Sequence, residues 1–301
     1  MTEATIKTPD GTAEASVGLL KRLKMVRAGK VPWIAASLLS LLFICAAFAD
    51  WIVPHDPSQL NIIKALKPPF WEKGAIDGYW LGTDNLGRDI LSRIIEGARV
   101  SVIVGIYAIV LSGGLGAIMG MVSAYFGGVV DAVIMRLVDI QLSIPPIALA
   151  IVLAAALQPG MTTVVIVIVL TYWTWYARII RSEVLSLRER DFVKLAQVAG
   201  CSTTVILWRH ILPNVVNTLL VLASLQLGSV IIYEATLSFL GLGVQSPEMS
   251  WGLMLTDARP YMQRAWWTIT LPGVAIMITC LAANIFGDWM RDTLDPKRRQ
   301  L

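Results

Sequence analysis

Apolar residues in this sequence are concentrated in six runs, which polar segments of unequal length separate. The runs lie near residues 31–53, 100–126, 132–157, 161–180, 214–236 and 267–288. Each is close to the ~20 residues that an α-helix needs to cross the hydrocarbon core of a bilayer. The pattern therefore predicts an all-α, polytopic membrane protein with six transmembrane helices.

The polar segments predict the rest of the organisation. They are a basic N-terminal tail (1–30), a loop rich in Pro and aromatic residues (54–99), a loop at 181–213 and a C-terminal tail (289–301). A five-helix core at 100–288 would then follow a first helix at 31–53. The composition agrees with this organisation, because 56% hydrophobic residues, 15% charged residues and a mean hydropathy of +0.66 exclude an ordinary soluble domain.

The distribution of basic residues predicts the orientation in the membrane. With six spans, both tails, the 127–131 turn and the 181–213 loop share one side. That side carries 17 of the 25 Lys and Arg residues, and the opposite side carries 8. Because cytoplasmic segments are enriched in Lys and Arg, both termini and the 181–213 loop are predicted to be cytoplasmic. Residues 54–99 are then extracytoplasmic.

The polar stretch 191–214 has a helical pattern that is too short to span a bilayer. Apolar positions recur at helical spacing at Phe192, Leu195, Ala196 and Ala199, and again at Val205, Trp208 and Leu212. Between the two groups, Gly200 suits the left-handed end of a helix and Ser202 suits the cap of the next. Pro213 fits the first turn of the following span. The segment predicts a helix, a tight turn and a second helix, which form either a docking surface or an ordinary amphipathic linker.

Glycine, proline and tryptophan within or beside the runs predict packing features. Gly113, Gly116 and Gly120 permit close approach between helices, and Pro145–Pro146 should kink the third span. Six tryptophans lie in or beside the outer segments: Trp51, Trp71, Trp80, Trp251, Trp266 and Trp267. Tryptophan is enriched at membrane–water interfaces, so these residues are predicted to be interfacial anchors in preference to side chains that stack on a substrate.

Polar side chains at apparent membrane depth mark a cavity, a pair or an interface. They are Arg136, Asp139, Gln226, Glu234, Asn284 and Asp288. Arg136 and Asp139 lie three residues apart on one helical face, which predicts a local ion pair. Glu234 has no such neighbour in the sequence, so it is either a functional acid or a residue at the outer membrane interface.

The spacing within residues 191–213 resembles the EAA loop of ATP-binding-cassette importer permeases, which reads Glu-Ala-Ala, three residues, Gly, nine residues, Ile-x-Leu-Pro. Ala196 matches the last Ala, Gly200 the Gly, and Leu212 with Pro213 the terminal pair. The departures are Lys194, Leu195 and His210, which replace Glu, the first Ala and Ile. The run Arg209–Asn214 resembles the dipeptide/oligopeptide/nickel branch in particular.

Further stretches resemble the same family, in order, between residues 81 and 297. They are Leu81–Asp89, Met135–Arg136 with Asp139 and Pro145, Tyr176–Arg178, Leu237–Gly243 with Ser250–Gly252, and Asn284 with Gly287–Asp288, Arg291–Asp292 and Asp295–Pro296. The chain thus resembles a permease subunit of the bacterial cytoplasmic (inner) membrane. The resemblance implies that residues 191–213, here named the coupling segment, dock in a groove of a cytosolic ATPase.

The resemblance also implies the partners. They are a second homologous permease subunit, two ATP-binding-cassette ATPase subunits, an extracytoplasmic solute-binding protein and membrane lipid. This chain would form half of the translocation pathway for short peptides, while nickel chelates, glutathione-like compounds and other small solutes stay open. It contains no Gly-x-x-x-x-Gly-Lys-Ser/Thr phosphate loop. We therefore expect a transporter subunit that is not an enzyme and binds no cofactor, with ATP and Mg²⁺ bound by the ATPase subunits.

Two sets of candidate residues follow. The ATPase-coupling set is Lys194, Leu195, Ala196, Gly200, Arg209, His210, Leu212 and Pro213. In this set Ala196 would permit close approach to the ATPase groove, and Arg209 and His210 would contact acidic groups on the ATPase. For Arg209 a solvated interface charge is an equal alternative. The candidates for the translocation pathway are Gln226, Glu234 and Asp139.

Two other functional classes were considered. An ion-gradient-driven secondary transporter would use Glu234 or Asp139 as its coupling acid and would need no ATPase. An intramembrane enzyme would need a catalytic set, but neither His55 nor His210 lies in a His-Glu-x-x-His motif and no Gly-x-Ser-x-Gly occurs.

Three dispersed cysteines predict no metal site, and the small net charge of +4 gives no reason to expect nucleic-acid binding.

Overall fold

The computed structural model describes residues 31–294, and within this range the chain is almost entirely helical with no β-strand. The helices are α1 (Trp33–Ile52), α2 (Ile90–Phe126), α3 (Gly128–Leu142), α4 (Pro146–Ala155), α5 (Met161–Arg188), α6 (Asp191–Val198), α7 (Thr203–Val205), α8 (Leu212–Phe239), α9 (Trp251–Ala258) and α10 (Trp267–Leu294). A π-helical stretch, Ile206–Ile211, joins α7 to α8, and short 3₁₀ turns lie at Ile62–Lys64 and Arg259–Tyr261. The expectations for residues 1–30 and for the end of the C-terminal tail lie outside the described residues.

Five stretches in this range are long and apolar enough to cross a membrane: α1, α2, α5, the continuous helix Thr203–Phe239, and α10. The α3–α4 pair makes a sixth if the two helices count as one span, and they are bent by 92° at their junction. The all-α prediction with six spans is confirmed in this form.

The third span is broken rather than kinked, which corrects the prediction of one helix over 132–157. The backbone of Pro145 is extended (φ −55°, ψ 125°), and Pro146 opens α4. A residue before proline is disfavoured in the α conformation, and neither proline can donate a backbone hydrogen bond. Two successive prolines therefore end one helix and start another.

The helices extend well beyond the apolar runs that revealed them. α2 begins at Ile90, ten residues before the predicted boundary, because Asp89 caps it by accepting a hydrogen bond from the Ser92 backbone N–H (3.0 Å). α5 continues to Arg188, so the first part of the 181–213 loop is helical, and α10 continues to Leu294. Hydropathy identifies the residues that cross the lipid, but it does not detect polar helical turns that lie outside the lipid.

Glycines on α2 pack closely against the backbone of α5. A Cβ atom at Gly116 would lie 2.5 Å from the Trp173 carbonyl oxygen, and one at Gly120 would lie 2.6 Å from the Ala177 carbonyl oxygen. The predicted role of these glycines in close approach is confirmed. A similar approach holds α8 against α10, where a Cβ at Gly228 would lie 2.8 Å from Asn284 Oδ1.

A buried ring of four charges fixes residues 81–93 to α9. Arg88 and Arg93 both donate to Asp84 Oδ2, and both also donate to Asp257 Oδ2, at 2.9 and 3.2 Å. Asp84, Arg88 and Arg93 are buried, and Asp257 is partly exposed. Two positive and two negative groups neutralise each other, so the ring can be buried.

Two of the tryptophans predicted to be interfacial anchors are instead buried in this outer part of the protein. Trp251 Nε1 donates to the Ile94 carbonyl (2.9 Å), and Trp267 Nε1 donates to the Thr83 carbonyl (3.1 Å). Their indoles thus bind α9 and α10 to the segment around the ring. The sequence could not separate these two from the exposed tryptophans, because their partners are more than 150 residues away.

Candidate functional site

The coupling segment has the predicted order of helix, turn and helix. α6 ends in a left-handed residue, Gly200 (φ +77°). The Cys201 N–H bonds the Ala196 carbonyl (3.0 Å) and the Gly200 N–H bonds the Gln197 carbonyl (3.0 Å), the two bonds of a Schellman motif. Ser202 then caps α7 by accepting from the Val205 N–H. The predictions for Gly200 and Ser202 are confirmed as local structure.

The second helix of the segment runs without interruption into the membrane. The wider π-helical turns of Ile206–Ile211 come directly before Pro213, which lies in the first turn of α8. Proline has no N–H for the carbonyl one turn earlier, and the wider turn accommodates that loss. Asn214 Nδ2 donates to the His210 carbonyl (2.6 Å) and satisfies it. The result is one continuous helix, Thr203–Phe239, that begins in the coupling segment.

One face of the coupling segment packs on the chain's own helices. Val193, Ala196, Ile206 and Ile211 are buried in a cluster with residues of α2, α5 and α8: Met121, Ala124, Ile180, Val184, Leu187 and Val215. Ala196 therefore lets α6 lie close to the rest of this chain, which corrects the expected role of permitting approach to a partner. The burial of Val193 was not predicted, although its spacing of three residues from Ala196 was available.

The opposite face of the segment is apolar and exposed. Leu195 is 68% exposed, Val198 87%, Trp208 55% and Val205 40%. The predicted single stripe of α6 is thus divided, with Ala196 inward and Leu195 outward. Val198 was missed by the sequence reasoning, although its spacing of three residues from Leu195 was available. An apolar surface on a rigid buried support is suited to docking another protein.

The polar candidates of the segment differ in exposure and in pairing. Lys194 Nζ pairs with Glu189 Oε2 (3.2 Å), so its charge is partly neutralised within the chain. Arg209 is exposed, and His210 and Leu212 are half-buried. Arg209 thus remains available to an acidic partner.

Two ion pairs join α3 to α5, which is one of the helices that support the coupling segment. Arg181 on α5 forms a two-point pair with Asp131 on α3 (both N–O distances 2.5 Å). Asp139 pairs with Arg178 of α5. The predicted local pair between Arg136 and Asp139 is therefore wrong, because the bundle places Arg178 against the same carboxylate.

The three candidates for the translocation pathway do not come together. Asp139 is exposed in its pair with Arg178, and Gln226 is half-buried near the middle of α8. Glu234 is 1% exposed and lies near the C-terminal end of α8. Glu234 is buried within the protein, five residues before the C-terminal end of α8. Across residues 31–294, no group of three or more His, Cys, Asp or Glu side chains is arranged to hold a metal ion.

Comparison with known proteins shows which family has this architecture. Residues 113–300 match the family model described as the inner membrane component of binding-protein-dependent transport systems. The chain belongs to this family. As a member, it is a multi-pass inner-membrane permease subunit of an ATP-binding-cassette importer and not itself an enzyme, and such permeases work with a binding protein and an ATPase.

Relatives of this permease are similar over most of its length. It is 42% identical over 257 residues to the di/tripeptide transport system permease protein DppC of Pseudomonas aeruginosa, covering 85% of each chain. It is 40% identical over 269 residues to the dipeptide transport system permease protein DppC of Haemophilus influenzae, covering 88% of this chain and 91% of the relative. It is 37% identical over 274 residues to the oligopeptide transport system permease protein OppC of Bacillus subtilis, covering 91% and 88%.

A solved structure supports the fold. An inward-facing structure of the MetNI methionine ABC transporter superposes with a TM-score of 0.51, covering 68% of this permease and 95% of that chain at 15% identity. This likeness concerns the fold alone. Neither the relatives nor the solved structures support the ion-gradient-driven alternative.

Proposed function

We propose that this permease forms half of the translocation pathway of an ATP-driven importer of short peptides. In this proposal the second half is a homologous permease subunit, and two cytosolic ATPase subunits bind ATP and Mg²⁺. An extracytoplasmic solute-binding protein delivers the peptide, and both termini of the permease are cytoplasmic. The similarity to permeases named for dipeptides, tripeptides and oligopeptides, at 37–42% identity over at least 85% of this chain, supports the choice of peptides.

The coupling mechanism is supported by the structure of the coupling segment, which has one buried face and one exposed face. Its buried face fixes it to α2, α5 and α8, and its exposed face offers Leu195, Val198 and Trp208 to a partner. When ATP draws the ATPase pair together, the groove that holds this face moves. The continuous helix Thr203–Phe239 carries the movement into the membrane, where α8 lines the pathway.

The candidate residues have distinct roles in this mechanism. Leu195 contributes apolar contact, Gly200 sets the angle between the two helices, and Leu212 with Pro213 joins the segment to α8. Arg209 and His210 contact acidic groups at the rim of the groove. Gln226 lies on α8 and is a candidate to contact the solute, while Asp139 holds α3 to α5 through Arg178.

Charge placed on the exposed face tests the proposal. In the assembled importer, Val198→Asp should release the ATPase subunits on purification and abolish ATP-dependent uptake of a radiolabelled dipeptide, because a buried, unpaired carboxylate opposes docking. Ile63→Asp is a matched control, since Ile63 is 92% exposed but lies in the loop before α2. If Val198→Asp kept its ATPase subunits and its uptake, the docking surface would be refuted. If the wild type carried out ATP-dependent transport but accepted no peptide, only the assignment of peptides as the substrate would be refuted.

A further inference from the structure

Glu234 on α8 is a buried acid that the proposed mechanism does not use. It lies near the end of α8, and its side chain is among the most completely buried in the described part of the chain. Within residues 31–294 no Lys, Arg or His forms an ion pair with its carboxyl group.

Hydroxyl groups from three helices surround the carboxyl group. Ser238, one turn later on α8, donates to Glu234 Oε1 (2.8 Å). The hydroxyls of Ser101 on α2 and of Ser250 at the N-terminal cap of α9 also face the carboxyl group. Ser238 Oγ in turn accepts from the Val244 N–H (3.1 Å), and Ser250 Oγ accepts from the Leu253 N–H (3.1 Å). The carboxyl group therefore lies where α2, α8, α9 and the connection between α8 and α9 meet.

Two buried atoms at this junction have no hydrogen-bond partner: Glu234 Oε2 and Ser101 Oγ. An ionised carboxylate would have only acceptor atoms there, and burying a charge without a cation is costly. A proton on Oε2 removes the charge and converts an unpaired acceptor into a donor. Ser101 Oγ is the nearby unpaired acceptor that such a donor requires.

We propose that Glu234 is held as a neutral carboxylic acid and acts as a positioning residue. Its Oε2–H donates to Ser101 on α2, and its Oε1 accepts from Ser238. These bonds fix the outer end of α8 to α2 and to the capped start of α9. The close approach of α9 at the same place fits this role, because a Cβ atom at Gly252 would collide with the Ala235 carbonyl.

The proposal makes the outer ends of α2, α8 and α9 one unit that moves together during transport. It does not depend on which solute is carried. It also separates two roles for the acid, because a group that binds and releases a transported ion must change its charge, whereas a positioning acid keeps its proton throughout the cycle.

Substitution by glutamine separates the two roles, since its amide has the shape of a neutral carboxyl group with one donor and one acceptor side. In the assembled importer in lipid nanodiscs, we expect Glu234→Gln to keep ATP-dependent uptake within about twofold of the wild type, with an unchanged pH profile. Glu234→Ala should lower uptake about tenfold, since it leaves Ser238 and Ser101 with unpaired groups. Loss of uptake in an assembled Glu234→Gln complex, or full uptake in Glu234→Ala, would overturn the positioning role.

Infrared spectroscopy tests the protonation state directly. With ¹³C-labelled glutamate, the wild type should show the carbonyl band of a protonated carboxyl group, and Glu234→Gln should lose it. Glu248→Gln is the control, because Glu248 lies exposed in the same outer segment and its removal should leave the band unchanged. Absence of the band from the wild type would refute the neutral acid, whatever the uptake of the variants.

Discussion

At the scale of single residues, glycine determines how closely the helices of this permease approach each other. Gly114 and Gly116 are two residues apart on α2 and face different surroundings. A Cβ at Gly116 would meet the backbone of α5, whereas one at Gly114 would have no atom within 4 Å. The two positions therefore offer a pair of substitutions that differ only in what the new side chain contacts.

We expect Gly116→Val to lower the stability of the purified permease and Gly114→Val to leave it nearly unchanged. The new side chain at Gly116 must push α5 away, and overpacking of this kind typically costs about 1–3 kcal/mol. The difference is measured by heating both variants in detergent and monitoring the folded fraction at each temperature by size-exclusion chromatography. Equal midpoints for the two variants would contradict the close packing of α2 on α5.

Gly200 is required for its backbone conformation and not for space. Nothing lies within 4 Å of a Cβ at this position, but φ is +77°. We expect Gly200→Val to weaken ATPase co-purification and uptake, because the left-handed conformation costs an L-residue roughly 1–2 kcal/mol and a β-branched side chain is especially unsuited to it. Gly200→Asn is the control, since Asn adopts this conformation far more readily. This variant should retain both ATPase co-purification and uptake. Normal coupling in Gly200→Val would show that the angle of the turn is unimportant.

Local features of the sequence were sufficient to predict individual turns and caps, but not which way side chains face. Gly200 and Ser202 were identified because a helix end and a cap depend on neighbouring backbone groups alone. The inward position of Ala196 and the pairing of Asp139 with Arg178 depend on α5, which the sequence does not place. The same holds for Glu234, whose neighbours on α2 and α9 come together only in the folded bundle.

At the scale of elements, the buried ring of Asp84, Arg88, Arg93 and Asp257 joins two parts of the chain that are far apart in sequence. The segment 81–93 leads into α2, and α9 lies between the last two spans. Hydropathy predicts the spans themselves but assigns these residues to polar loops. The ring could not be inferred from spacing, because Asp257 is more than 160 residues from either arginine.

We predict that Arg93→Met destabilises the permease by about 3–5 kcal/mol, since it leaves a net negative charge buried in the ring. Arg99→Met applies the same change six residues later on α2, where Arg99 pairs with the exposed Asp50, and should have a much smaller effect. Thermal unfolding of both variants in the same detergent measures the difference. A similar loss in both would show that the ring is no more important than a surface pair.

At the scale of the whole molecule, six spans and the charge bias predict that the coupling segment and residues 54–89 lie on opposite sides of the membrane. In a cysteine-free variant, Ser58→Cys should react with a membrane-impermeant maleimide in intact cells from which the outer membrane has been removed. Ser186→Cys, near the cytoplasmic end of α5, should react only after lysis. Both residues are exposed, so access to the reagent differs only by side. The reverse pattern would invert the topology.

The continuous helix Thr203–Phe239 would extend about 55 Å if it were straight, which exceeds the ~30 Å of hydrocarbon it crosses. It is closely packed at Gly228, where α10 contacts its backbone and where the neighbouring Leu227 meets α2 at Gly105. Gly228 lies 25 residues after Thr203 and 11 residues before Phe239. If the helix pivots there, its two arms measure about 38 Å and 16 Å. The permease then works as a reducing lever: a displacement imposed at the cytoplasmic end arrives at the outer end less than half as large and in the opposite direction, with correspondingly greater force.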